Sequence, residues 1–180
     1  IHNQGTLNFP LTSSNTLTLI GSAGLQVTSN GTLNIGTSSN VVPLSTTHTI
    51  VLSNTQIDIH NGGNLNVYGY PKTTSTYLIN DSVSGSRIFT TTDSVSTSWL
   101  SGDSVLFIPN TASRTSFDTL ILSSFNSNNT FTTTVSNTYL HHSLSSLPYV
   151  PSVANLSRNI IIKGLDTTNR GTIRTIDAAK

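Results

Sequence analysis

A short motif recurs through the first third of this 180-residue chain: a turn residue, then Leu, then Asn or Gln, then an apolar side chain. It stands at Leu7-Asn8-Phe9, Leu25-Gln26-Val27, Leu33-Asn34-Ile35 and Leu65-Asn66-Val67. Leu25 and Ile57 are 32 positions apart, as are Leu33 and Leu65, and within each set the neighbours fall eight apart. Apolar residues at every second position make half-buried strands. Gly21-Ser22-Ala23-Gly24, Ser29-Asn30-Gly31 and His60-Asn61-Gly62-Gly63 lie between these segments and supply residues that tolerate positive φ at corners. A chain that returns to the same phase at coil-length intervals predicts a solenoid of short strands, a parallel β-helix. A β-sandwich or Greek-key barrel also has many short strands, but the 32-residue phase favours the solenoid.

Composition points the same way. Ser, Thr and Asn make up 77 of the 180 residues, all seven acids are Asp, and there is no Glu, Met or Cys and little Ala. The strongest helix formers are therefore scarce, while β-branched residues abound. Ile, Leu and Val total 45 residues, enough to bury a core despite the polar bias. The reading is all-β.

A net charge of +1 with scattered cations offers no basic stripe, so no nucleic-acid partner is expected. The longest aliphatic run, Ile160-Ile161-Ile162, is too short for membrane insertion. Hydroxyls and amides take the solubilising role usually held by Lys and Glu, a habit of secreted or cell-surface glycoproteins. Four sequons begin at Asn30, Asn80, Asn128 and Asn155 and are candidate glycosylation sites. An extracellular location follows from these features as an expectation.

Beyond Tyr70-Pro71-Lys72 the texture changes to longer strands, punctuated by Gly102-Asp103 and Pro109-Asn110. No flexible linker is evident, so residues 1–180 read as one continuous body, with N-terminal coils over 1–55 and the start of a further coil over 165–180. Four blocks occur in order here: Val67-Tyr68-Gly69-Tyr70-Pro71, Trp99-Leu100-Ser101-Gly102-Asp103, Tyr139-Leu140-His141-His142, and Asn155-Leu156-Ser157-Arg158-Asn159-Ile160 running on to Gly164. Together they resemble the eight-glycine ("G-eight") domain family, which includes fibrocystin-like and hyaluronan-binding extracellular proteins, over about residues 56–164. That resemblance implies an extracellular right-handed β-helix module, associated in some relatives with glycan binding or hyaluronan breakdown. Relatives carry an acid where this chain has Pro151-Ser152, and Glu where it has only Asp118.

Chemistry-bearing residues are few. His141 and His142 are adjacent, so on a strand they point to opposite faces and cannot share one metal ion; one is expected to pack and the other to face solvent. Asp103 follows Gly102 in a turn, where its carboxylate is expected to cap local backbone amides. Trp99 is expected in the core, and Arg158, flanked by Asn159 at the mouth of the aliphatic strand, is expected to clamp neighbouring coils through its guanidinium. No cofactor, metal site or catalysis is expected. The function expected is an extracellular structural or adhesive module, glycosylated, self-associating or continuing axially into a larger protein or filament. A polysaccharide-degrading enzyme and a glycan-binding module remain the alternatives. Protein from its native source should carry added hexose mass at Asn30, Asn80 or Asn128 by intact-mass analysis; an unmodified polypeptide mass would contradict it.

Overall fold

The computed structural model describes residues 2–3, 5–108, 115–146 and 153–176. Pro109-Asn110, Pro151-Ser152, Ile1 and residues 177–180 lie outside the described residues. Every regular element among the described residues is a strand. In chain order these are β1 (His2–Asn3), β2 (Thr6–Asn8), β3 (Asn15–Ile20), β4 (Leu25–Val27), β5 (Thr32–Ile35), β6 (His48–Ser53), β7 (Thr55–His60) and β8 (Asn64–Val67). They continue as β9 (Ser75–Thr76), β10 (Ile88–Thr90), β11 (Ser104–Phe107), β12 (Asp118–Phe125), β13 (Thr130–Thr133), β14 (Val153–Asn155), β15 (Ile160–Gly164) and β16 (Gly171–Ile176).

The chain divides into two compact units, Ile1–Tyr70 with Arg158–Lys180, and Pro71–Ser157. This corrects the single body expected over 1–180: the change of texture at Tyr70-Pro71 is a boundary. The first unit holds three parallel sheets, in the orders β2-β5-β8, β3-β6-β15 and β1-β4-β7-β16. Each pass of the chain lays one strand on each sheet. Leu25 pairs with Ile57, and Leu33 with Leu65, so the 32-residue phase is the offset between successive passes. Leu7 pairs with Leu33 at a shorter offset; the length difference is taken up in the loops and not in the strands.

Alternation decides which side chains face inward. Leu33 and Ile35 are fully buried with Val27, Ile50 and Ile57, whereas Asn34 between them faces outward. At the corners, Asn30 and Asn61 adopt φ of 65° and 51°, and Gly62 adopts 82°, the left-handed conformations that the turn clusters required. Gly63 packs so closely under the Val27 carbonyl that a Cβ could not be accommodated.

The polypeptide leaves this unit at Tyr70 and returns at Arg158, and Asn159 ties the two points together. Its Oδ1 accepts the Tyr70 N–H at 3.0 Å, and its Nδ2 donates to the carbonyls of Val42 and Pro43 at 3.0 and 3.1 Å. The next strand, β15, therefore stacks on β6 from Ile160↔His48 to Gly164↔Leu52, and β16 stacks on β7 from Gly171↔Thr55 onward.

The second unit is a six-stranded antiparallel sheet, order β10-β13-β12-β11-β14-β9. A parallel coil across the whole of 56–164 is therefore corrected for residues 71–157. Only the four residues 126–129 separate β12 from β13, a link that can turn a strand back but cannot carry it to a parallel start. An aromatic cluster fills its core: Phe89 lies 4.4 Å from Phe107 between ring centroids, and Phe131 lies 5.7 Å from both Phe89 and Trp99.

Leu33→Ala should cost about 2–5 kcal/mol in denaturant unfolding, because a fully buried side chain leaves a cavity. Leu7→Ala, on the same ladder but 41% exposed, should cost clearly less. Equal losses would contradict this packing.

Candidate functional site

The outward face of the β2-β5-β8 sheet carries two rows of polar residues. Thr6, Thr32 and Asn64 are in register, as are Asn8, Asn34 and Asn66. The second row is a hydrogen-bonded ladder: Asn66 Nδ2 donates to Asn34 Oδ1 at 2.9 Å, and Asn34 Nδ2 donates to Asn8 Oδ1 at 2.9 Å. Each donating amide spends one N–H on its neighbour, leaving a second N–H and a lone pair for a ligand. The rungs recur at the strand spacing, about 4.8 Å.

Beside the ladder lies a groove of about 330 Å³, lined by Thr6, Thr32, Asn34, Gly36, Thr37, Ser38, Asn66 and Tyr68. None of these side chains is charged. Tyr68 is 38% exposed, while its backbone is fixed on both sides: its N–H donates to the Ile35 carbonyl at 2.8 Å, and its carbonyl accepts from Val42 at 2.9 Å. Gly36, at φ of 77°, sits against the Tyr68 carbonyl where a Cβ would collide. The arrangement can bind a neutral, hydroxyl-rich ligand: amides and hydroxyls to exchange hydrogen bonds, and a phenol ring for its apolar face.

The residues singled out from sequence fall into separate places. Trp99 is fully buried and donates Nε1–H to the Thr73 carbonyl at 2.8 Å, a core role. Gly102 turns at φ of 91°, and Asp103 accepts the Leu100 N–H at 2.9 Å, the local cap expected; its pairing with Lys72, however, had no signal in the sequence. His141 is fully buried, with Nε2 2.9 Å from Asp118 Oδ2, while His142 sits half-buried with Nδ1 3.0 Å from Asp81 Oδ2. The two histidines thus diverge, each toward its own aspartate. Arg158 is exposed on a hollow of about 260 Å³ shared with Val67, Gly69, Tyr70, Asn159 and Ile160, and Asn159 beside it bonds Tyr70, Val42 and Pro43. Among the sequon residues Asn30, Asn80 and Asn128 are exposed. Asn155 is 1% exposed with Nδ2 donated to Asp103 at 2.8 Å, so its candidacy for a glycan is corrected by burial. Among the described residues no three His, Cys, Asp or Glu gather as a metal site, and no helix is long and apolar enough to cross a membrane.

No family model matches the chain, and no curated protein matches it. Among solved structures it is similar to the Gp54 tailspike of Acinetobacter baumannii bacteriophage AP22, in complex with A. baumannii capsular saccharide. Identity is 15% and the TM-score 0.37, with 96% of this chain and 24% of the tailspike chain covered. The chain spans about a quarter of that protein's length, and the TM-score is below the level that marks a common fold.

Two aspartates of the second unit carry its acid sensitivity. Asp81 is held well below the usual carboxylate range by the Ser143 N–H at 2.7 Å and hydroxyl, with His142 and Ser146 adding to the effect. For Asp118, burial pushes its pKa up, but the His141 bond and the N–H groups of Tyr139 and Thr138 outweigh it and leave a net lowering. A carboxylate lowered by folding stabilises above its unfolded pKa, about 3.9, and that stability is lost as pH falls toward the folded value. The melting temperature should thus be insensitive to these groups from pH 7 to 5 and drop below about pH 4. Asp118→Asn should flatten the drop in thermal denaturation; an unchanged acid slope would contradict the assignment.

Proposed function

We propose that the first unit is a right-handed parallel β-helix and that the chain is an extracellular structural and adhesive module, part of a larger protein or filament. It holds a neutral glycan in the groove lined by Asn34 and Asn66 of the ladder and has no catalysis of its own. The observation that carries this reading is the groove itself: an uncharged lining of amides and hydroxyls with Tyr68 partly exposed at its side. The three parallel sheets with one strand per pass support the β-helix. The absence of charge in the groove favours a neutral saccharide over an anionic one, since a sulfate or uronate would meet no cation there. A non-catalytic role is supported by the commitments of the best-buried carboxylates: Asp58 to Arg174 and Gln56, Asp103 to Lys72, and Asp118 to His141. Asn30, Asn80 and Asn128 are proposed as its own glycan attachment points.

Binding measured by calorimetry or on a glycan array should favour neutral oligosaccharides over anionic ones. Tyr68→Ala should weaken it by up to about tenfold, the worth of one aromatic contact, without changing the fold, because the backbone bonds of Tyr68 do not involve its ring. Binding that ignores Tyr68→Ala, or that prefers hyaluronan or another polyanion, would overturn this groove as the site.

A further inference from the structure

The second unit buries a lysine, a carboxylate and a carboxamide against one another. The Lys72 side chain is 4% exposed, and its Nζ lies 2.8 and 2.7 Å from Oδ1 and Oδ2 of Asp103. The same Oδ2 accepts Asn155 Nδ2–H at 2.8 Å, so one carboxylate oxygen bridges the amine and the amide nitrogen. Asn155 Oδ1 in turn accepts the Ser157 N–H at 2.7 Å, which polarises the side-chain carbonyl. A buried ion pair is a weak source of stability, since apolar residues of similar volume often do as well or better. The constellation nevertheless contains every part of an amide-forming reaction: a desolvated amine, a polarised acyl carbon with an amide leaving group, and a proton carrier touching both nitrogens.

We propose that Lys72 and Asn155 become joined by an intramolecular isopeptide bond, formed after folding, with Asp103 as the proton carrier. Asp103 takes a proton from the Lys72 ammonium, and the neutral Nζ attacks Cγ of Asn155. Charge then develops on Oδ1, where the Ser157 N–H stabilises it. Asp103 delivers to Nδ2 the proton it holds, the carbonyl re-forms at Oδ1 as the Cγ–Nδ2 bond breaks, and the nitrogen leaves as ammonia. Asp103 then relays a second proton from Nζ to that ammonia, which departs as ammonium. Nζ keeps one hydrogen in the new amide, Asp103 ends as it began, and no oxidant or other reactant is consumed. Asp103 Oδ2 touches both Lys72 Nζ and Asn155 Nδ2, so Asp103 is cast as carrier and not as the acyl partner.

Lys72 and Asn155 lie near the two ends of the second unit, Pro71–Ser157. A bond between them would close nearly that entire segment into a ring, lowering the entropy of its unfolded state and sparing its core from tension applied at its ends. That suits an insertion in a load-bearing module, although the chemistry is independent of the proposed function.

The test is the intact mass of the full 180-residue chain made in a host without N-glycosylation, followed by proteolysis and fragmentation. The expected mass is one ammonia below that of the sequence, with a branched peptide linking Lys72 to Asn155. Lys72→Arg and Asp103→Asn should both restore the full mass of their sequences and lower the melting temperature. A wild-type chain at full mass would overturn the proposal, and this reading needs no variant to fold. Loss of water with a Lys72–Asp103 link, or ammonia loss that persists in Lys72→Arg, would overturn it equally.

Discussion

Register between successive passes of the chain is the constraint on which the first unit rests. In a parallel stack a slip of one residue would turn Leu33 and Ile35 outward and Asn34 into the core. Two kinds of side chain oppose that slip from opposite faces. Leu7, Leu33 and Leu65 align on the inward side, and the amides of Asn8, Asn34 and Asn66 bond to one another on the outward side. Asn34 and Asn66 of the outer ladder also line the uncharged groove, so the device that fixes register contributes to the surface a ligand would meet.

Short polar side chains do the joining elsewhere. With no Glu in the chain, every acid reaches only as far as an Asp can, and each buried one ends against backbone N–H groups or a side chain brought close by the fold. Asn159 shows the principle most clearly: one carboxamide bonds Tyr70, Val42 and Pro43, and so holds together the points where the chain departs and returns. A whole antiparallel unit can then be inserted between β8 and β15 without disturbing the stack, because β15 meets β6 in continuous register.

The second unit follows different rules. Its sheet is antiparallel, its core is aromatic, and its polar interior is organised around Asp103 and Asp118. The partners of these aspartates come from distant parts of the chain: Lys72 and Asn155 for the first, His141 for the second. Such convergence gives this unit its two chemically distinctive clusters, one proposed to become covalent and one that makes it sensitive to acid.

The sequence by itself determined most strands, their inward and outward faces, the positive-φ corners and the 32-residue register between passes. These are legible because a period of two reports burial locally, and because a repeated coil carries its register as a spacing. It also placed Trp99 in the core and Asp103 on its turn. Strand direction after Pro71 and the partners of Lys72, Asp118 and Asn155 were decided only by the tertiary structure. Alternation is the same in a parallel and an antiparallel strand, so the pattern of Thr130–Thr133 cannot say which neighbour it will pair with. A lone lysine or asparagine reads as surface in a polar chain, and only packing shows that Lys72 and Asn155 are buried against one carboxylate.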